Sequence, residues 1–171
     1  MILGEGWWKL RTKFAAQLFT LRAELEKDFF GTLRKLREMG WHAVQISGLY
    51  GNDPADIAKV LQETGLQTAG MHIALAELQN NLDEILRRAE LFRTKDLVVP
   101  YFPADQHHEE GYRKLRRDMN EIAAKLAGGG YRISYHNHAF EFDTVIDGKP
   151  ALEYLLEPTP DNRILAEVDV Y

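Results

Sequence analysis

Six short apolar runs, each separated from the next by a longer stretch, constrain this chain more than any other feature. The runs are "KFAAQLF" (13–19), "HAVQIS" (42–47), "QTAGMHI" (67–73), "DLVVPYF" (96–102), "RISYHNH" (132–138) and "ILAEVDVY" (164–171). Four of the connecting stretches repeat apolar residues at helical spacing. These are Phe29, Leu33, Leu36 and Met39; Ile57, Val60 and Leu61; Leu78, Leu82, Ile85, Leu86 and Ala89; and Leu115, Met119, Ile122 and Leu126. Gly40, Gly65 and the Gly128–Gly130 cluster each stand just before a run, where a helix must stop. A phosphate-binding loop precedes a helix rather than a strand, so the three glycines read as a stop and nothing more. Asp53 followed by Pro54 reads as an N-cap with proline at the first helical position. Only the weak pattern "PALEYLLE" joins the fifth run to the sixth. Strand and helix in strict alternation give an α/β fold of parallel strands with right-handed crossovers. No linker interrupts the rhythm, so residues 1–171 read as a single domain.

The strands also alternate within themselves. Ala15, Gln17 and Phe19 share one face, as do Ala43, Gln45 and Ser47; Thr68, Gly70 and His72; Ser134, His136 and His138; and Glu167, Asp169 and Tyr171. The opposite face is apolar in five of the six runs. Central strands of a doubly wound sheet are apolar on both faces, whereas a barrel with outer helices needs one apolar face and admits polar groups at its C-terminal mouth. The expectation is therefore a (β/α)8 TIM barrel. Such a barrel takes about 250 residues; this sequence of 171 residues supplies about six βα units, and the expected form is an incomplete barrel.

Composition removes several classes. A formal charge of −5, from 21 Lys+Arg against 26 Asp+Glu, argues against a protein built to grip phosphate backbones, so no nucleic-acid partner is expected. Cysteine is absent, which excludes disulfides and thiolate metal sites. No run approaches the ~18 consecutive apolar residues of a membrane span. "MILGEGWWKLR" lacks the apolar core and cleavage site of a signal peptide, which makes a cytoplasmic location the expectation, with no membrane partner.

Chemistry concentrates in "ISYHNHAFEFDT" (133–144) and "AEVDVY" (166–171). Glu141 follows the fifth strand and Asp169 ends the sixth. Neighbouring strands lie ~4.8 Å apart, so carboxylates at two adjacent strand ends can share one cation. Oxygen donors beside His136 and His138 suit Mn2+, Mg2+, Co2+ or Zn2+. Each carboxylate also has a plain structural use: Glu141 as a loop cap, Asp169 as a helix cap. His72, at the end of the third strand, is a substrate contact or simply a satisfied polar group. Gln17 and Gln45 read as the hydrogen-bonded floor of a site, Arg22 as a surface ion pair, and His107 and His108 as solvated. Trp7, Trp8 and Trp41 read as packing rather than sugar platforms.

On these segments the chain resembles the sugar phosphate isomerases/epimerases of the xylose-isomerase-like TIM-barrel superfamily. "AAQLFTLR" resembles the first strand of that family, "GWHAVQISG" the second, "MHI" the third, "VVPYF" the fourth, "YHNHAFEF" the fifth and "LAEVDVY" the sixth, in order from Phe14 to Tyr171. The resemblance implies that Glu141 and Asp169 are metal ligands, that Glu141 is catalytic, and that His72 and His138 bind substrate. It also implies a histidine from a seventh strand and a glutamate from an eighth, and the sequence reaches neither. The implied reaction is divalent-metal-dependent proton transfer next to a carbonyl of a sugar or sugar phosphate. Dehydration of a keto-inositol, an apurinic-site endonuclease and a non-catalytic partial barrel are the alternatives. Open edges at the first and sixth strands make self-association into a homo-oligomer an expectation too. A natural polypeptide longer than 171 residues, carrying the remaining βα units, is a further one.

Overall fold

The computed structural model describes residues 14–170; Trp7, Trp8 and Tyr171 lie outside them. In chain order the strands are β1 (Ala16–Gln17), β2 (Ala43–Ile46), β3 (Gln67–His72), β4 (Asp96–Val99), β5 (Arg132–His136), β6 (Val145–Ile146), β7 (Lys149–Pro150) and β8 (Leu165–Glu167). The helices are α1 (Arg22–Lys27), α2 (Phe29–Glu38), α3 (Pro54–Thr64), α4 (Leu75–Asn80), α5 (Leu82–Leu91), α6 (Glu109–Leu126) and α7 (Ala151–Leu156). All six expected strands are present. The chain divides into two compact units, one running to His72 and resuming at Asp83–Thr94, the other formed by Ile73–Leu82 and everything from Lys95 onward.

In the first unit β1, β2 and β3 pair in parallel, with Ala16 opposite Val44, Gln17 opposite Gln45 and Ile46 opposite Met71. Leu18, Leu33, Val44, Ile57 and Ile85 are fully buried there. Local signals set the helix ends. The Asp28 carboxylate accepts from the Gly31 N–H at 2.8 Å and starts α2; a Cβ at Gly31 would stand 2.0 Å from a carboxylate oxygen and force it to turn. Asp53 accepts from the Ala55 N–H at 2.7 Å with Pro54 behind it, and α3 ends on Gly65 in the left-handed region at φ 68°.

In the second unit β4, β5 and β8 pair in parallel: Leu97 faces Ile133, Val99 faces Tyr135, and His136 faces Glu167. Helix α6 packs Tyr112, Leu115, Met119, Ile122 and Leu126 into the core from one face. All of Ile133 to His136 is buried, polar residues included. Strand β8 lies at the edge, and Leu165, Val168 and Val170 are 46%, 64% and 90% exposed. Val168 and Val170, which alternation set on the apolar face, therefore lie outside the core, because β8 is paired on the β5 side alone among the described residues of this unit.

Three features differ from the sequence reading. The single helix expected across Leu78 to Ala89 breaks at Asn81 (φ −133°, ψ 36°), where two successive asparagines compete with the helical backbone; Asn80 turns its side chain back onto the Ala76 carbonyl. A hairpin, β6 with β7, precedes α7. Its turn residues Asp147 (φ 52°) and Gly148 (φ 79°) are the Asp-Gly pair that such turns favour, a signal present in "VIDGKP". The sixth strand stops at Glu167 rather than running on through Asp169. No helix among the described residues is long and apolar enough to cross a membrane.

The cap on α3 makes a stability prediction. Asp53→Ala should lower unfolding free energy by about 1 kcal/mol, whereas Asp53→Asn, which keeps an acceptor, should cost a few tenths at most. Urea denaturation followed by circular dichroism would separate them, and equal losses would show that the cap is not what holds this end.

Candidate functional site

Strand β5 carries the chain straight from buried β structure into a tight 3-10 turn at Phe140–Phe142, and the site is built where the two meet. Glu141, on that turn, has no exposed surface. A carboxylate can occupy such a position only if its oxygens are hydrogen-bonded. Oε1 accepts from the Tyr135 hydroxyl and Oε2 from the backbone N–H of His138, both at 2.7 Å. Burial first, and then the bond to Glu141, push the Tyr135 hydroxyl far above the usual phenol range. Tyr112 is raised as well, by burial and then by the charges of Glu141 and Asp143; its own hydroxyl is buried with no hydrogen-bond partner.

His136, at the end of β5, has a carboxylate beside each ring nitrogen. Nδ1 lies 3.0 Å from Glu167 Oε1 and Nε2 lies 3.6 Å from Asp169 Oδ2. The hydrogen bond to Glu167 raises the imidazole above its ordinary value; burial opposes this, and the charges of Glu167, Asp169 and Glu141 add to it. Beyond β8 the backbone ladder ends, and a side chain takes over. Asn137, 4% exposed, donates from Nδ2 to the Asp169 carbonyl at 3.1 Å and accepts on Oδ1 from the Asp169 N–H at 3.0 Å. An amide side chain thus reproduces the two-point pairing of a peptide and fixes Asp169 past the strand end.

His138 is held differently. Its ring stacks on Phe140 at 5.0 Å with 13° between planes, and Tyr101 and His136 meet it edge-on at 6.3 and 5.1 Å. Nδ1 is buried without a hydrogen-bond partner, 3.8 Å from Glu141 Oε1. Phe140 is covered on its other side by His107, 3.9 Å away at 18°. His107 is therefore not in solvent as its sequence setting suggested: Nε2 donates to the Phe102 carbonyl at 2.8 Å, and its own carbonyl accepts from the Thr144 hydroxyl. His108 is exposed and caps α6 by accepting from the Gly111 N–H.

The fold thus sets Glu141 against Tyr135 and His138, and Asp169 against His136. In the first unit, His72 ends β3 half-buried, Gln17 and Gln45 sit side by side, and Arg22 donates to the Phe19 carbonyl and lies over the Phe19 ring. Sequence reasoning passed over Glu167, Asn137 and Tyr135. The signal for Glu167 was available, since it shares a strand face with Asp169 two positions on. Asn137 and Tyr135 gave none, because their roles depend on a turn whose path the sequence does not show.

No family model matches the sequence, and no curated protein does. Solved structures do match in fold. A sugar phosphate isomerase/epimerase from Parabacteroides distasonis superimposes with a TM-score of 0.72 at 21% identity, over 92% of this chain and 68% of that one. An AP endonuclease, family 2, from Brucella melitensis gives 0.68 at 18% identity, over 92% and 68%. A xylose isomerase-like TIM barrel protein from Mycobacterium smegmatis, in complex with magnesium, gives 0.54 at 12% identity, over 82% and 56%. The fold is that of these TIM-barrel proteins, an α/β architecture with six of the eight barrel strands.

The pairing of Tyr135 with Glu141 is open to a direct test. Tyr135→Phe keeps the ring and removes one donor from a fully buried carboxylate, which should cost about 1–3 kcal/mol or somewhat more given the charge. Chemical denaturation of the variant measures this; an unchanged midpoint would mean that Glu141 finds another donor.

Proposed function

We propose that the chain carries the strand-five and strand-six part of a divalent-metal-dependent sugar or sugar-phosphate isomerase/epimerase, acting by proton transfer next to a carbonyl. The observation that supports this is the convergence of Glu167 and Asp169 on His136 at the C-terminal ends of two adjacent parallel strands, the end at which barrel enzymes place their chemistry. Oxygen donors with an imidazole among them fit Mn2+, Mg2+, Co2+ or Zn2+. The Asp169 side chain is 40% exposed and that of Glu167 27%, so neither carboxylate is enclosed. Glu141 is enclosed and already accepts from two protein donors. In this reading Asp169 and Glu167 hold the cation and His136 orients them by hydrogen bonding. A cation bound there supplies positive charge against the negative charge that develops on the substrate oxygens.

The chain's own groups do the remaining work. His138 and the half-exposed ring of Tyr101 stand together at the end of β4 and β5 and present a polar edge and an aromatic wall to a small polyhydroxylated ligand. The aromatic stack of buried Phe102 with half-buried His107 and Phe140 backs them on that side. A net charge of −5 favours a small substrate over a nucleic acid.

The test is calorimetric Mn2+ titration of the full-length natural polypeptide, with turnover measured on a panel of ketoses and their phosphates. Asp169→Asn and Glu167→Gln should each weaken Mn2+ binding by ~10-fold or more, and the two losses should not add, because they disturb one site. Glu141→Gln should leave affinity within about twofold, as should Asp161→Asn in an exposed loop. A loss in Glu141→Gln with none in Glu167→Gln would restore the ligand pair that the family resemblance implies. Unchanged binding in all three site variants would remove the metal site and the enzymatic reading with it.

A further inference from the structure

We infer that Glu141, held by Tyr135, fixes the His138 ring with its proton on Nδ1, leaving Nε2 as an acceptor for a substrate hydroxyl. Glu141 presents two oxygens to its surroundings. Each accepts a hydrogen bond, one from the Tyr135 hydroxyl and one from the His138 backbone N–H, which is the pattern of an ionised carboxylate. The group is fully buried, so its charge is little screened by water. His138 Nδ1 is buried too, has no hydrogen-bond partner, and lies 3.8 Å from Oε1. A neutral imidazole carries a lone pair on one nitrogen and a proton on the other. A lone pair on Nδ1 would face a carboxylate across a dry gap and be repelled. A proton on Nδ1 is attracted to the same oxygen and needs only a small ring movement to reach hydrogen-bond distance.

The ring has little freedom to escape that choice. Phe140 stacks on one face, the rings of Tyr101 and His136 meet it edge-on, and the backbone N–H of the same residue is tied to Glu141. The His138 side chain is nevertheless 39% exposed. With Nδ1 buried, that exposure falls on the remainder of the ring, which carries Nε2. Tyr135 and Glu141 are thus positioning residues: neither faces solvent, and both act on a ligand through His138. An outward acceptor selects for a hydroxyl donor, such as one hydroxyl of a sugar, and disfavours a carbonyl or phosphate oxygen at that position. The substrate half of the inference rests on the function proposed above; the tautomer half does not.

Long-range 15N–1H correlation spectra of the metal-free protein at about pH 8, above the ordinary imidazole value, decide the tautomer. The expected result is a protonated Nδ1 and an unprotonated Nε2 at His138. Glu141→Gln should move the proton to Nε2, because the new amide N–H2 can donate to Nδ1; Tyr135→Phe, which leaves the carboxylate in place, should not move it. A merely structural role for Glu141 would leave the tautomer alone. Wild-type protein with its proton on Nε2, or a Glu141→Gln variant with an unchanged tautomer, would overturn the inference, and the wild-type spectrum suffices if the variant fails to fold. Adding a ketose should shift the Nε2 resonance and spare Nδ1; an unmoved Nε2 at saturating ketose overturns the substrate half. Mn2+ affinity enters none of these spectra, so the inference and the metal reading can fail separately.

Discussion

The burial of one carboxylate governs the end of β5. Glu141 sits three positions past His138 with no surface exposed to water, an arrangement that would cost several kcal/mol if either oxygen lacked a donor. Tyr135, within the strand near its end, supplies one donor and the backbone of His138 the other. The chain must therefore turn back under its own strand within a few residues, and the 3-10 turn at Phe140–Phe142 meets that demand. Two further features inherit this geometry: the direction of the His138 ring and the stacking position of Phe140.

The neighbouring strand end is organised by a different rule. In parallel register His136 faces Glu167, and the next available acceptor, Asp169, lies beyond the ladder. Left to the backbone, that residue would be free to splay from the sheet edge. Asn137 prevents this with a paired donor and acceptor on the Asp169 peptide, so the second carboxylate stays within 3.6 Å of His136. Two carboxylates near one imidazole repel each other, and positive charge between them relieves the repulsion. A protonated His136 can supply that charge, as can a cation, and the elevated imidazole value of His136 is the protein's own answer to the same electrostatic demand.

Much of the fold was legible because its signals are local and repeated. Six runs became six parallel strands, Asp53-Pro54 became a cap, and Gly65 and Gly130 took the positive φ that ends a helix before a strand. What escaped was decided by side chains competing with backbone. Asn81 broke a helix that periodicity alone extended, and the Asp147–Gly148 hairpin occupies a connection whose only periodic pattern is the weak "PALEYLLE". Within the site, the inward face of the fifth strand was readable as Ser134, His136 and His138. The pairing of carboxylates with histidines was not, because Glu141 lies on a turn and its direction depends on Tyr135, a residue that alternation assigns to the apolar core. His107 misled for the same reason: polar neighbours in "ADQHHEEG" suggest solvent, while the Phe102 carbonyl and the Phe140 ring hold it half-buried.

His136 and His138 show how two identical side chains, two residues apart at the end of β5, acquire opposite chemistry. His136 meets acceptors at both nitrogens, so its environment rewards protons and makes it a donor. His138 meets one acceptor, beside its buried Nδ1, and its side chain is 39% exposed. The difference traces to the chain just beyond each histidine: strand register sets Glu167 and Asn137 sets Asp169 beside the first imidazole, while the second has Glu141 beside its buried nitrogen alone. The stack of His107 on Phe140 on His138 then matters mechanically, because it ties that turn to the segment after β4 through the Phe102 and Thr144 contacts. A ring clamped on one face and charged from one side can offer a ligand only its far nitrogen, and that restriction needs no metal and no further strand to operate.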